Sequence, residues 1–169
     1  MTFVVPFDGS GLAEAALVRA AEFSTVLDER VLAVAVIPKN NTGYARERGW
    51  IGESESFDRQ SVVATLHQQV TDLVPAVDFQ HEVIDKYAPV GAITNRIRRV
   101  TREVDASMVF VGSENAGRMV TGLGSVGSAV TAQDDYDVVI VRNRAPSKIA
   151  KLKNANPIDE RSDFYVTDG

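Results

Sequence analysis

Residues Val31–Ile37 read Val-Leu-Ala-Val-Ala-Val-Ile, without one polar side chain. A strand with one wetted face alternates apolar and polar residues. An unbroken run of this kind instead marks a strand covered on both faces, the usual state inside a parallel sheet. The run is also the longest clean apolar stretch in the chain, far short of the roughly 20 residues that a membrane-spanning helix needs.

The rest of the chain supplies what such a sheet requires. Thr2–Pro6, Val77–Asp85, Met108–Val111 and Val138–Arg142 read as further strands, with Val77–Asp85 alternating enough to sit nearer a sheet edge. Between them run helical periods: Leu12, Ala16, Ala20 and Phe23; then Val63, Leu66, Val70 and Leu73; then Ile93, Ile97, Val100 and Val104. Ser10 is placed to cap the first helix, and Pro89 to open the third as a first-turn proline. A short helix is expected from about Ser125 to Gln133. Lys39–Ser56 is polar and irregular and reads as a long surface loop, the most mobile element of the domain. Strands alternating with helices predict an α/β fold: a Rossmann-like, doubly wound, five-stranded parallel sheet with helices on both faces.

A length of 169 residues suits one domain. The periodic pattern occupies residues 1–143. Residues 144–169 form a C-terminal extension, either poorly ordered or a docking arm anchored by Ile149, Leu152, Phe164 and Tyr165. Cysteine is absent, which excludes disulfides, thiolate metal sites and cysteine nucleophiles and fits a reducing cytoplasm. The formal charge of −5 argues against a general nucleic-acid binder or an anionic-membrane binder. Met1–Pro6 has neither the basic region nor the long apolar stretch of a secretion signal, so a cytoplasmic location is expected.

Two loops carry the chemistry. Pro6-Phe7-Asp8-Gly9-Ser10 follows the first strand. Asp8 there can accept two ribose hydroxyls, or Asp8 and Ser10 can serve only as helix-capping residues. The second loop begins at Gly112 and runs through Gly117, Arg118, Gly122 and Gly124 to a helix start at Ser125. Glycines let phosphate oxygens approach the backbone, a helix N-terminus attracts anions, and Arg118 can fold over a phosphate. The same segment could also be a flexible turn with Ser125 as its cap. Gly122-Leu-Gly124-Ser-Val-Gly127 matches G-x-G-x-x-G, but no strand immediately precedes it and too little chain follows for a dinucleotide half. The loop has no lysine for a Walker-A motif, and Leu123 stands where a nucleophile elbow needs glycine. His67 and His81 show no metal-ligand spacing and read as structural or exposed. Arg96, Arg98, Arg99 and Arg102 read as the solvated face of the third helix.

At these two loops the sequence resembles the universal stress protein family, over about residues 2–143. Val4-Val5-Pro6-Phe7-Asp8-Gly9-Ser10 and its Ala-rich helix look like the family's opening. Val109-Phe110-Val111-Gly112-Ser113, Gly124-Ser125-Val126 and Val138–Arg142 look like its closing signature, and Pro89–Ile93 like the start of its third helix. The resemblance implies a sheet order of 3-2-1-4-5 and binding of an adenine nucleotide, ATP with or without Mg. It also implies a homodimer formed through Val138–Arg142. By position, Pro6, Phe7 and Asp8 would flank adenine and ribose, and Val36 would meet the adenine. Val111 and Gly112 would lie beside ribose and phosphates, with Gly124, Ser125 and Val126 holding the phosphates. The glycine spacing departs from that of nucleotide-binding members: four residues separate Gly112 from Gly117, and six separate Gly117 from Gly124. The Ser-Glu-Asn-Ala-Gly-Arg form of the loop is similar to a branch seen in salt-loving archaea. Two alternatives stand beside an ATP-binding stress-response module. One is a nucleotide-free dimeric interaction module. The other is a weak ATPase, slow at best, since nothing here resembles a positioned base.

Overall fold

A computed structural model describes residues 1–89, 91–113 and 136–142 of the chain. Nine elements follow one another in these residues: β1 (Thr2–Pro6), α1 (Gly11–Leu27), β2 (Arg30–Pro38), α2 (Thr42–Glu47), α3 (Arg59–Leu73), β3 (Asp78–Ile84), α4 (Ala92–Glu103), β4 (Ala106–Gly112) and β5 (Asp137–Val141). The strands form one sheet in the order β3-β2-β1-β4-β5, and every pairing is parallel. β3 and β5 are its edges.

Side chains alternate across a strand, and here the alternation divides the core in two. Phe3, Val5, Ala33, Ala35, Ile37 and Phe110 point to one face, where they pack with Ala16 and Leu17 of α1 and Val62, Leu66 and Val70 of α3. Val4, Val34, Val36, Val109 and Val111 point to the other, where Ile97 and Val100 of α4 cover them. The connections β1-α1-β2 and β2-α3-β3 step one way across the sheet, and β3-α4-β4 steps back over it. β1 and β4 are therefore neighbours at the point where the winding reverses. The doubly wound sheet and its order agree with the sequence reading.

Three local expectations need correction. Residues 39–56 are not simply a surface loop. They contain α2, and Ala45, Trp50 and Ile51 are buried in the α1–α3 face of the core. Pro89 does not open α4. The helix starts at Ala92 behind Gly91, whose φ of +95° suits a residue without a Cβ, and the Pro89 carbonyl accepts from Ala92 N–H at 3.0 Å in the preceding turn. In α1 the buried set is broader than one stripe, including Leu17 and Val18, while Phe23 is 37% exposed with its ring edge on Phe110. The expected glycine loop, the helix at Ser125–Gln133 and the extension 144–169 lie outside the described residues.

Candidate functional site

The turn after β1 is assembled from its own polar groups. Asp8 Oδ1 accepts the Ser10 N–H at 2.9 Å, and Ser10 Oγ accepts the Ala13 N–H at 3.2 Å, capping α1. The capping role considered for Asp8 and Ser10 is thus present. It uses only one of the two Asp8 oxygens. Two distant side chains hold the turn's backbone: Trp50 Nε1 donates to the Asp8 carbonyl at 2.7 Å, and Gln69 Nε2 to the Gly9 carbonyl at 3.0 Å. A Cβ on Gly9, whose φ is +82°, would stand 3.2 Å from Leu66 and 3.1 Å from Gln69.

Arg48 takes the second oxygen: its Nη1 donates to Asp8 Oδ2. The local sequence explains how Arg48 gets there. Asn41 Oδ1 accepts the Tyr44 N–H at 3.0 Å and starts α2. The helix ends in a Schellman turn, in which Gly49 at φ +74° donates to the Arg46 carbonyl at 3.0 Å and Trp50 N–H to the Ala45 carbonyl at 2.9 Å. Tyr44 and Arg48, four residues apart, share a face of the helix. The guanidinium carbon of Arg48 stands 4.8 Å from the centre of the Tyr44 ring, and that ring meets Trp50 edge-on with centroids 5.4 Å apart.

These groups border a crevice on the α4 side of the sheet that holds about 50 Å³ of space accessible to water. Its floor is Pro6, Phe7 and Asp8 after β1, Val34 and Val36 of β2, and Val111 of β4; Ile93, Thr94 and Ile97 of α4 and Tyr44 and Arg48 complete it. An apolar hollow with a few convergent polar groups is the usual form of a small-molecule site. This one lies beyond the carboxyl ends of β1, β2 and β4, where ligands of doubly wound sheets settle. A second hollow of about 170 Å³, bounded by Pro38, Ile84 and Lys86, adjoins it across Tyr44, Ile93 and Thr94.

Five of the residues singled out in the sequence therefore meet here: Pro6, Phe7, Asp8, Val36 and Val111. Gly112 ends β4 but lies against α1 instead, where a Cβ would come within 2.8 Å of Leu12 Cβ. Gly117, Arg118, Gly124, Ser125 and Val126 lie outside the described residues. Sequence reasoning missed Tyr44 and Arg48. The available signals were Asn41 as a cap, Gly49 as a helix stop and the four-residue spacing between ring and guanidinium.

Among the described residues, no group of three or more His, Cys, Asp or Glu side chains could hold a metal ion. His67 stacks on Phe79 at 4.9 Å, and His81 is exposed on β3. The basic face of α4 is not wholly solvated, because Arg96 reaches Glu82 of β3 at 3.7 Å; Arg99 pairs with Glu103 of its own helix at 2.9 Å. No helix among the described residues is long and apolar enough to cross a membrane.

Comparison with known proteins gives one family match, to a profile described as the universal stress protein family, over residues 1–142. No curated protein matches the chain. Several solved structures share its fold. The hypothetical protein MJ0577 is 12% identical with a TM-score of 0.53, and the match covers 84% of this chain and 95% of that one. The universal stress protein from Archaeoglobus fulgidus in complex with dAMP is 18% identical with a TM-score of 0.50, over 84% of this chain and 98% of that one. A universal stress protein in complex with cAMP is 22% identical with a TM-score of 0.48, over 84% and 97%.

Proposed function

The chain belongs to the universal stress protein family, and on that premise we propose that its crevice binds an adenine nucleotide, ATP, as the ligand of a cytoplasmic stress-response module. The observation that carries this reading is the meeting of Asp8 from the turn after β1, Val36 of β2 and Val111 of β4 in one apolar crevice where the winding of the sheet reverses. An adenine ring suits the valine walls, and ribose hydroxyls suit the Asp8 carboxylate. The glycine-rich segment from Gly112 to Ser125, which follows β4, supplies backbone amides for the phosphates, with Gly117, Arg118, Gly124 and Val126 around them and Mg as a companion of the phosphates. The dAMP bound by the Archaeoglobus fulgidus protein supports adenine nucleotides as the ligand class.

The module works as a homodimer through β5. Supporting this, β5 is an edge of the described sheet and Ile140 on it is 43% exposed. Its role is binding, with ATP hydrolysis slow at most.

Titration calorimetry with ATP tests the site. Wild-type protein gives saturable heat at millimolar nucleotide or below, and Asp8→Ala loses it while keeping a cooperative melt. No heat in either low or high salt would remove nucleotide binding. One observation favours a second reading, a nucleotide-free interaction module: Arg48, from the chain's own segment, already occupies Asp8. Absence of heat together with a stable dimer in light scattering selects that reading.

A further inference from the structure

We propose that Arg48 sets the charge class of the ligand, so that the crevice takes a phosphorylated nucleoside in strong preference to the bare nucleoside. This inference rests on the nucleotide reading above and adds to it a specificity-determining residue that the family resemblance does not assign.

Both oxygens of Asp8 are engaged, Oδ1 by the Ser10 N–H and Oδ2 by Arg48. The Ser10 bond belongs to the capped start of α1. Each carboxylate oxygen can accept a second hydrogen bond, so a ribose that donates to Asp8 need not displace Arg48; where its hydroxyl takes the place on Oδ2 that Arg48 holds, the pair is broken. Arg48 cannot simply withdraw. Its side chain is only 28% exposed and lies over the Tyr44 ring. Its backbone is fixed in the Schellman turn, and the next-but-one residue, Trp50, is itself bonded to the Asp8 carbonyl. Once that place is taken, Arg48 is a cation without its partner beside Val36, Ile93 and Ile97. Separating a half-buried pair by removing one partner costs more than the pair itself contributes, because the other charge stays desolvated.

A neutral nucleoside cannot compensate for this. A nucleotide can, since the phosphate on the same ribose matches the planar guanidinium fork. The ligand thus exchanges one partner of Arg48 for another: its ribose replaces the cation at Asp8, and its phosphate receives the cation. The discrimination arises from the group left unpaired when the wrong ligand binds. In a chain of formal charge −5, the same cation also offsets the repulsion that an approaching anion meets.

Calorimetric titration with adenosine and with AMP, which differ only by the phosphate, tests the role of Arg48. Wild-type protein should prefer AMP by about ten-fold or more, the scale of one charge-assisted contact. Arg48→Gln should shrink that ratio by about ten-fold, through weaker AMP binding with adenosine affinity unchanged or raised. Arg48→Lys, which keeps the charge and loses the fork, should fall between the two. It also serves as the test if the glutamine variant does not melt cooperatively. An unchanged ratio in a folded variant, or an equal loss for both ligands, overturns the proposal and reduces Arg48 to a wall of the crevice. Failure of both ligands to bind wild-type protein removes the nucleotide reading and this inference with it. Binding of both with a ratio indifferent to residue 48 removes this inference alone.

Discussion

The two faces of the sheet are packed from different materials. Under α1 and α3 the large side chains Phe3, Leu17, Ile37, Leu66 and Phe110 are at most 1% exposed. Under α4 the buried apolar residues, among those described, are valine, isoleucine and alanine, with no aromatic ring. Two helices of 17 and 15 residues seal the first face. The second is covered, among the described residues, by one helix of 12. Among the described residues, the candidate site lies on the face with the shorter buried side chains, against α4. The large buried side chains, again among those described, lie on the face opposite the crevice. Burial there can stabilise the fold while the crevice side remains open to a ligand.

Substitutions can break or sharpen this contrast. The largest effect should come from Phe110→Ala, which removes a fully buried ring that meets both Phe3 and Phe23 at 5.4 Å. It should cost about 3–5 kcal/mol in urea unfolding, with the midpoint falling and the slope unchanged. Next is Gly112→Ala, whose new Cβ would stand 2.8 Å from Leu12 Cβ and 3.2 Å from the Leu12 backbone. With backbone on one side it cannot be relieved by a rotamer change alone, and a loss of about 1–3 kcal/mol is expected in the same assay. The smallest is Ile97→Val on the crevice side. Trimming one methyl from that wall should cost about 0.5–1.5 kcal/mol in stability. It should nevertheless change nucleotide affinity measurably by calorimetry, because Ile97 lines the hollow. If Ile97→Val proved as damaging to stability as Phe110→Ala, the two faces would not differ in kind.

Much of this arrangement was legible in the chain because its signals are local. The apolar run Val31–Ile37 announced a strand buried on both sides, and in the structure β2 is exposed only at its start. Ser10 after Asp8-Gly9 announced a helix start, and Ser10 is the cap of α1. Asp8 was legible as a site residue because it lies in the loop after the first strand, where a doubly wound sheet places its ligands, whereas Val36 and Val111 came from the family resemblance. The missed part depends on long-range contacts. α2 has six residues, and what holds it in place is tertiary: Ala45, Trp50 and Ile51 buried against the core, and Trp50 bonded to a carbonyl 42 residues earlier. In the linear sequence those apolar residues are scattered through charged and glycine-rich stretches, so polarity concealed them. The Arg48–Asp8 pair spans 40 residues, and the local signals that place Arg48 at a helix end do not say which carboxylate it meets. At Pro89 two valid signals competed. A proline suits a first helical turn, but a glycine two residues later suits a positive-φ cap, and the glycine set the boundary.

The position of β1 has a consequence for how the protein is made. It pairs with β2 soon after it in the chain, and with β4 through a register that joins Thr2 to Ala106. On a ribosome the block β3-β2-β1 can come together while β4 is still unsynthesised. That interval, from the end of β3 at Ile84 to the end of β4 at Gly112, spans 28 residues, or roughly 1–6 s at ordinary translation speed. Throughout it the backbone groups of β1 that will meet β4 have no partner, and Phe3 and Val5 await Phe110. The strand at the heart of the finished sheet thus spends its first seconds as an open edge, the form of β-structure most prone to pairing with another chain.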